Sequence, residues 1–145
     1  MNHLTKVLTY AGTIPFFAGW AMTVGDVSLG FIEGTWLFHT YSTVILCFMA
    51  GTLWGQASHF ASSQHNVVLG LSNLWAILPW IALLSLTGPL YWLALLTNLF
   101  GFAHLYWIEH RFKSASAPVR YYELRKRVSL IVIALHGFMI FQAFI

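Results

Sequence analysis

Residues 67–86 read VVLGLSNLWAILPWIALLSL, a stretch without a single Asp, Glu, Lys or Arg. Roughly 20 predominantly apolar residues carry an α-helix across the hydrocarbon core of a bilayer, so this run is read as a membrane span. Similar runs recur at 4–24, 37–57, 90–108 and 128–145. Only 8% of the 145 residues are charged, against about 25% in a soluble domain, and the mean hydropathy is +0.72. In lipid a segment must satisfy its own backbone polar groups, which makes helix the default. The runs lack the apolar/polar alternation of a barrel strand. The expectation is an all-α integral membrane protein, a bundle of five transmembrane helices in a single domain over 1–145. Its short connections hold no separate extramembrane domain.

Charge sets the orientation. Lys6 lies at the start of the first run, and Arg111, Lys113, Arg120, Arg125, Lys126 and Arg127 lie between the fourth and fifth. With five crossings these two regions share a side, and short loops rich in Lys and Arg are retained in the cytoplasm. The first loop, GDVSLGFIEGTW, carries only Asp26 and Glu33 and belongs outside. The N-terminus is therefore expected to be cytoplasmic and the C-terminus periplasmic, in a multi-pass protein of a bacterial inner membrane. The pI near 9.3 reflects this asymmetry and gives no reason to invoke nucleic acid. The first run is too long for a signal-peptide core and lacks a small-x-small cleavage site, so it is read as a retained helix. The single cysteine, Cys47, can form no disulfide within the chain and is read as a packing residue.

Two prolines interrupt the runs. Pro15, in YAGTIPFF, and Pro79, in NLWAILPW, each remove a backbone donor and are expected to kink their helices. Gly88 and Pro89 make a tight turn between the third and fourth spans. Ser116, Ala117 and Pro118 suggest a helix start before the fifth, and Tyr121, Tyr122 and the following basic residues suit the headgroup layer.

The second span supplies the candidate seam and part of the candidate site. In FMAGTLWGQASHF, residues 48–60, Thr52, Gln56 and His59 share a helical stripe, with Gly51, Gly55 and Ser58 on the adjoining one. Leu46, Met49, Leu53, Ala57 and Phe60 fall opposite. The polar side is expected to face the bundle and the apolar side the lipid. Gly51 and Gly55 form a small-xxx-small pair of the kind that lets helices approach closely. On the fourth span Asn98, Gly101 and His104 follow at i, i+3 and i+6, with Gly101 as a further packing position.

Of the seven histidines, His39 is placed near the outer surface and His3, His59, His65 and His110 near the inner one. His104 and His136 are the intramembrane pair, and neutral imidazole is a common ligand. Thr52, Gln56, Asn98, His104 and His136 thus form the candidate polar site. No His-x-x-x-His or Glu-x-x-His spacing accompanies the pair, so no metal or other cofactor is expected. Haem or metal through His104 and His136 is the subsidiary reading. No carboxylate lies deep in a span, as proton-coupled transport usually requires. Neither a nucleophile elbow nor a carboxylate pair suggests catalysis.

The motifs YAGTIPFF (10–17), YSTVILCFMAGTLWG (41–55), NLWAILPWIALL around Pro79 and YYELRKRVSLIVI from Tyr121 occur in an order that resembles the domain-of-unknown-function 3429 family of transmembrane protein 69-like small membrane proteins. Leu53 stands where that family often carries histidine or arginine before Trp-Gly. The resemblance implies a multi-span inner-membrane protein and brings no reaction, substrate or cofactor. The expected role is a non-enzymatic partner or assembly component of a larger inner-membrane complex. The alternative is binding or passage of a small solute, haem or a metal at the polar site within the bundle.

Overall fold

The computed structural model describes residues 3–60, 62–112 and 119–145. The described chain is almost entirely helical: α1 (His3–Ala11), α2 (Ile14–Val24), α3 (Gly34–Gln56), α4 (Ser62–Leu83), α5 (Trp92–Arg111) and α6 (Val119–Ala143). Short 3-10 turns, Ala57–His59 and Leu84–Thr87, extend α3 and α4. Three stretches are long and apolar enough to cross a membrane: His3–Val24 taken across its break, Gly34–His59 and Ser63–Thr87. Helix α5 ends in Glu109, His110 and Arg111, and α6 begins with a run of basic residues, which makes both more polar. The helix start expected at Ser116–Pro118 and the charge at Lys113 lie outside the described residues.

The two prolines act differently. Pro15 falls in the first turn of α2, where its missing N–H costs no internal bond, and the chain breaks at Gly12 and Thr13. Thr13 closes the break by donating its hydroxyl to the Tyr10 carbonyl at 2.7 Å. Pro79 lies inside α4, which continues past it. A proline withdraws a donor and crowds the preceding turn; in both cases α3 supplies a side-chain donor there. The Tyr41 hydroxyl donates to the Gly12 carbonyl at 2.9 Å, and the Cys47 thiol to the Ala76 carbonyl at 3.3 Å. Each carbonyl belongs to the third residue before its proline. Cys47 is therefore a bonded packing residue between α3 and α4.

Helix α3 is central, packing against α2, α4 and α5, while α6 closes the bundle against α5, α2 and α1. Its inward side corrects the expected assignment of faces. Leu46, Met49, Ala50, Leu53 and Ala57 are buried in the core, with Val68 and Trp75 of α4 and Phe102, Leu105 and Ile108 of α5. Gly51, Trp54, Gly55, Ser58 and His59 are exposed, and Thr52 and Gln56 lie at the margin between the two. In a membrane the lipid is as apolar as leucine, so polarity alone does not decide which side turns inward; the larger side chains fill the interior here.

Close helix approach occurs at glycines other than the expected pair. A Cβ on Gly19 would stand 2.9 Å from the Phe38 backbone nitrogen, and one on Gly34 would stand 2.5 Å from that of Thr23, so α2 and α3 meet nearly backbone to backbone. Gly101 lies beneath Leu46 and the Trp75 ring, where a Cβ has no room. At Gly51 and Gly55 nothing lies within 4 Å of the Cβ position. The close packing expected there is not made among the described residues, because α3 turns those residues outward.

The loop between α2 and α3 contains a small hairpin, β1 (Ser28–Leu29) and β2 (Ile32–Glu33), an addition to the all-helical expectation. Ser28 pairs with Glu33 and Leu29 with Ile32. Gly30 takes φ +65 in its turn, a conformation open to glycine, and Phe31 projects from the tip almost wholly exposed.

Candidate functional site

The expected polar residues do not converge. Thr52 spends its hydroxyl on its own helix, donating to the Met49 carbonyl at 2.7 Å. Gln56 lies at the far end of α3 among Phe60, Glu109, Phe112 and Tyr121, hydrogen-bonded through its side chain to Tyr121. His104 sits between α4 and α5, its Nδ1 accepting the Trp75 indole N–H at 2.9 Å. The two rings stand edge to face, 5.7 Å apart at 82°. His136 lies elsewhere, among Phe16, Phe38 and Phe102. Helix α6 therefore presents His136 to an interface that His104 does not share. The two imidazoles have different neighbours and form no ligand pair.

Asn98 and His136 instead join three residues of α3. Ser42 Oγ and His136 Nε2 are 2.7 Å apart, and His136 Nδ1 lies 2.8 Å from the Val132 carbonyl oxygen. A carbonyl only accepts, so Nδ1 carries the proton, and in the neutral ring Nε2 accepts the Ser42 hydroxyl. The adjacent residue, Thr43, accepts the Asn98 amide at 3.2 Å. His39, one turn earlier, is fully buried, and among the described residues neither of its ring nitrogens has a partner; Asn98 Oδ1 is likewise buried and unpartnered there. Burying such groups without a hydrogen bond typically costs about 1–3 kcal/mol each. His39, Ser42, Thr43, Asn98 and His136 thus form a neutral polar layer clamping α3 to α5 and α6, rimmed by aromatic rings.

A second, charged centre ties α5 to α6. Arg125 donates to both oxygens of Glu109, Nε to Oε2 at 2.9 Å and Nη2 to Oε1 at 3.1 Å, the bidentate geometry that makes such pairs strong. Only 8% of the Glu109 side chain and 17% of the Arg125 side chain are exposed. Burial disfavours the guanidinium charge, but the adjacent Glu109 outweighs it and holds Arg125 above its ordinary value. Burial also raises the Tyr121 phenol, and the same carboxylate adds to the effect.

Among the described residues no group of three His, Cys, Asp or Glu side chains is placed to hold a metal ion. His59 is exposed beyond α3, and the His65 Nδ1–H donates to the Ala57 carbonyl at 2.9 Å, stitching the 3-10 turn to α4. His39 is the residue the sequence reading left out of the site: it was set aside as near the outer surface, and its burial inside the bundle was not foreseen. Its spacing to Ser42 and Thr43, i+3 and i+4 on one helical face, is the signal that points inward.

The sequence model of the family described as Protein of unknown function (DUF3429) matches residues 1–141. The chain belongs to the DUF3429 family. No curated protein and no solved structure matches it. The match spans both centres of this DUF3429 protein, from Pro15 through the polar layer to the Glu109–Arg125 pair. Leu53, where a polar residue was expected from the resemblance, is buried in the core among apolar side chains.

Proposed function

We propose that this DUF3429 protein is a five-span protein of a bacterial inner membrane that serves as a non-enzymatic component of a larger membrane complex. Its N-terminus is cytoplasmic and its C-terminus periplasmic, with all five spans in one domain. Two groupings of residues support the topology. Lys6 lines one recess with Arg120 and Arg127, whereas Thr35 and Tyr91 line another with Gln142 near the C-terminus. Helices α5 and α6, at 20 and 25 residues, are about 30 and 38 Å long at 1.5 Å per residue, enough to cross. The basic residues gather at one end of the bundle, as retention in the cytoplasm requires.

The observation that carries the partner reading is the outward side of α3. The bundle's central helix leaves Gly51, Trp54, Gly55 and Ser58 uncovered, with open space over both glycines. A small-xxx-small face without a neighbour suits a helix from another chain, approaching through van der Waals contact. Trp54, 56% exposed, would flank it. Affinity purification from native membranes after crosslinking tests this: a defined set of membrane proteins is expected with the wild type and is lost when Gly51 and Gly55 are replaced by leucine. An unchanged set would overturn it. Single cysteines at Ser28 and Arg111, labelled from either side of the membrane, test the topology.

One observation favours the second reading, a site for a small solute, haem or a metal. His39 offers two unpartnered ring nitrogens and Asn98 one unpartnered carbonyl oxygen in the buried layer next to His136. That reading now centres on His39, Asn98 and His136 and no longer includes Gln56 or His104. Its test is the visible absorption and metal content of protein purified in detergent; a colourless, metal-free preparation counts against haem and metal.

A further inference from the structure

Where α1 crosses the start of α6, Lys6, Tyr10, Arg120, Glu123, Leu124 and Arg127 line a recess of about 380 Å³. Three cations face it with one carboxylate, which leaves an excess of two positive charges. The contrast with Arg125 is informative. Arg125 is consumed by Glu109 in a bidentate pair. None of Lys6, Arg120 and Arg127 has a carboxylate within ion-pair distance among the described residues, and all three are exposed. Cations gathered around one recess repel each other, and an anion seated among them relieves that repulsion.

The surroundings identify the anion. In the next turns of the chain, Ile14 and Phe17 on α2 and Phe138 on α6 are exposed apolar side chains. Helices α2 and α6 pack together, with Trp20 and Phe138 rings 6.3 Å apart. Gly137 is exposed between the larger residues of α6, and nothing stands within 4 Å of its Cβ position. The basic recess thus lies at one end of an exposed apolar surface on α2 and α6. That combination fits a molecule with an anionic head and a hydrocarbon tail better than a soluble anion, which has no use for the apolar surface. Tyr10 at the rim is an aromatic of the kind that settles at headgroup level.

We infer that the recess formed by Lys6, Tyr10, Arg120 and Arg127 binds the phosphodiester headgroup of an anionic phospholipid, whose acyl chain lies along the α2–α6 surface. The inference rests on the membrane-spanning reading above and adds a ligand to it. Arginine suits the phosphate through paired N–H donors, and lysine adds a point charge. Basic residues at a membrane surface each strengthen anionic-lipid attraction by about fivefold.

Native mass spectrometry of the full chain in detergent, with phosphatidylglycerol and phosphatidylcholine of matched chains in competition, tests it. The wild type is expected to retain phosphatidylglycerol at least fivefold over phosphatidylcholine. K6Q/R120Q/R127Q should bring the ratio to parity, while R111Q, which removes a cation of the same end outside the recess, should leave it unchanged. If the triple variant fails to fold, K6Q and R127Q alone should each weaken retention about fivefold. Equal retention of both lipids by the wild type, or selectivity that survives these variants, would overturn the site. Displacement by glycerol 3-phosphate at equimolar lipid would assign the recess to a soluble anion and overturn it too. Cysteine labelling at residue 6 separates this outcome from failure of the topology. Equal retention of both lipids by the wild type with residue 6 facing the cytoplasm rejects the lipid site alone, and residue 6 on the periplasmic side rejects the topology beneath it.

Discussion

Gly101 and the pair Gly51/Gly55 look alike as sequence, glycines in apolar helices with a polar residue nearby, yet they occupy opposite environments. Gly101 lies under Leu46 and Trp75 at the junction of α3, α4 and α5, where a single added carbon has no space. Gly51 and Gly55 open onto the outside of α3, with nothing among the described residues within 4 Å of their Cβ positions. A glycine inside the bundle is needed by this chain; a pair of glycines outside it is available to another. The difference separates what the fold requires from what the proposed partner requires, and substitutions on the two sides should behave accordingly.

The largest effect is expected inside. Gly101→Val forces Leu46 and Trp75 apart, and overpacking of this kind should cost about 3 kcal/mol, read as the unfolding free energy in an SDS titration from mixed micelles. Arg125→Leu should follow at about 2 kcal/mol, because it leaves the Glu109 carboxylate buried and uncompensated, with the cost moderated by the partial exposure of the pair. Ser42→Ala removes the donor to His136 Nε2 and should cost about 1 kcal/mol in the same titration, since intramembrane hydrogen bonds are modest. Gly51→Ala combined with Gly55→Ala should change stability by less than about 0.5 kcal/mol, as expected where a new methyl meets no neighbour. A loss as large as that of Gly101→Val would erase the contrast and return the pair to the interior.

The helices and their ends were legible. Uninterrupted apolar runs announced the helices, Pro15 a kink where the chain breaks between α1 and α2, and Gly88 with Pro89 the turn before α5. The orientation of α3 was not. Its two sides differ little in hydrophobicity, and between lipid and protein interior there is no water to make that difference count. Steric fit decided instead: Leu46, Met49 and Leu53 fill space between α4 and α5 that glycines would leave empty. The burial of His39 was not legible for a related reason. Its position near the start of α3 says nothing of which side faces the bundle; there Gly19 lets α2 approach the Phe38 backbone, and His39 is fully buried. The polar layer depends on residues from three helices: Asn98 and His136 were legible as site candidates, whereas His39, Ser42 and Thr43 were not singled out, although their i+3 and i+4 spacing puts them on one helical face. In the Glu109–Arg125 pair, Arg125 was legible only as one of the basic residues suited to the headgroup layer, and nothing in the sequence singled out Glu109 as its partner.

The partner reading turns on the outward face of α3, and one experiment addresses that face directly. A photo-crosslinking residue at Trp54, activated in native membranes, is expected to yield a discrete polypeptide adduct that disappears when Gly51 and Gly55 are replaced by leucine. The same probe at Phe100, exposed on α5, should label lipid. Adducts from Trp54 that are lipid alone, indistinguishable from those at Phe100, would contradict the assignment of this protein as a component of a larger complex through α3.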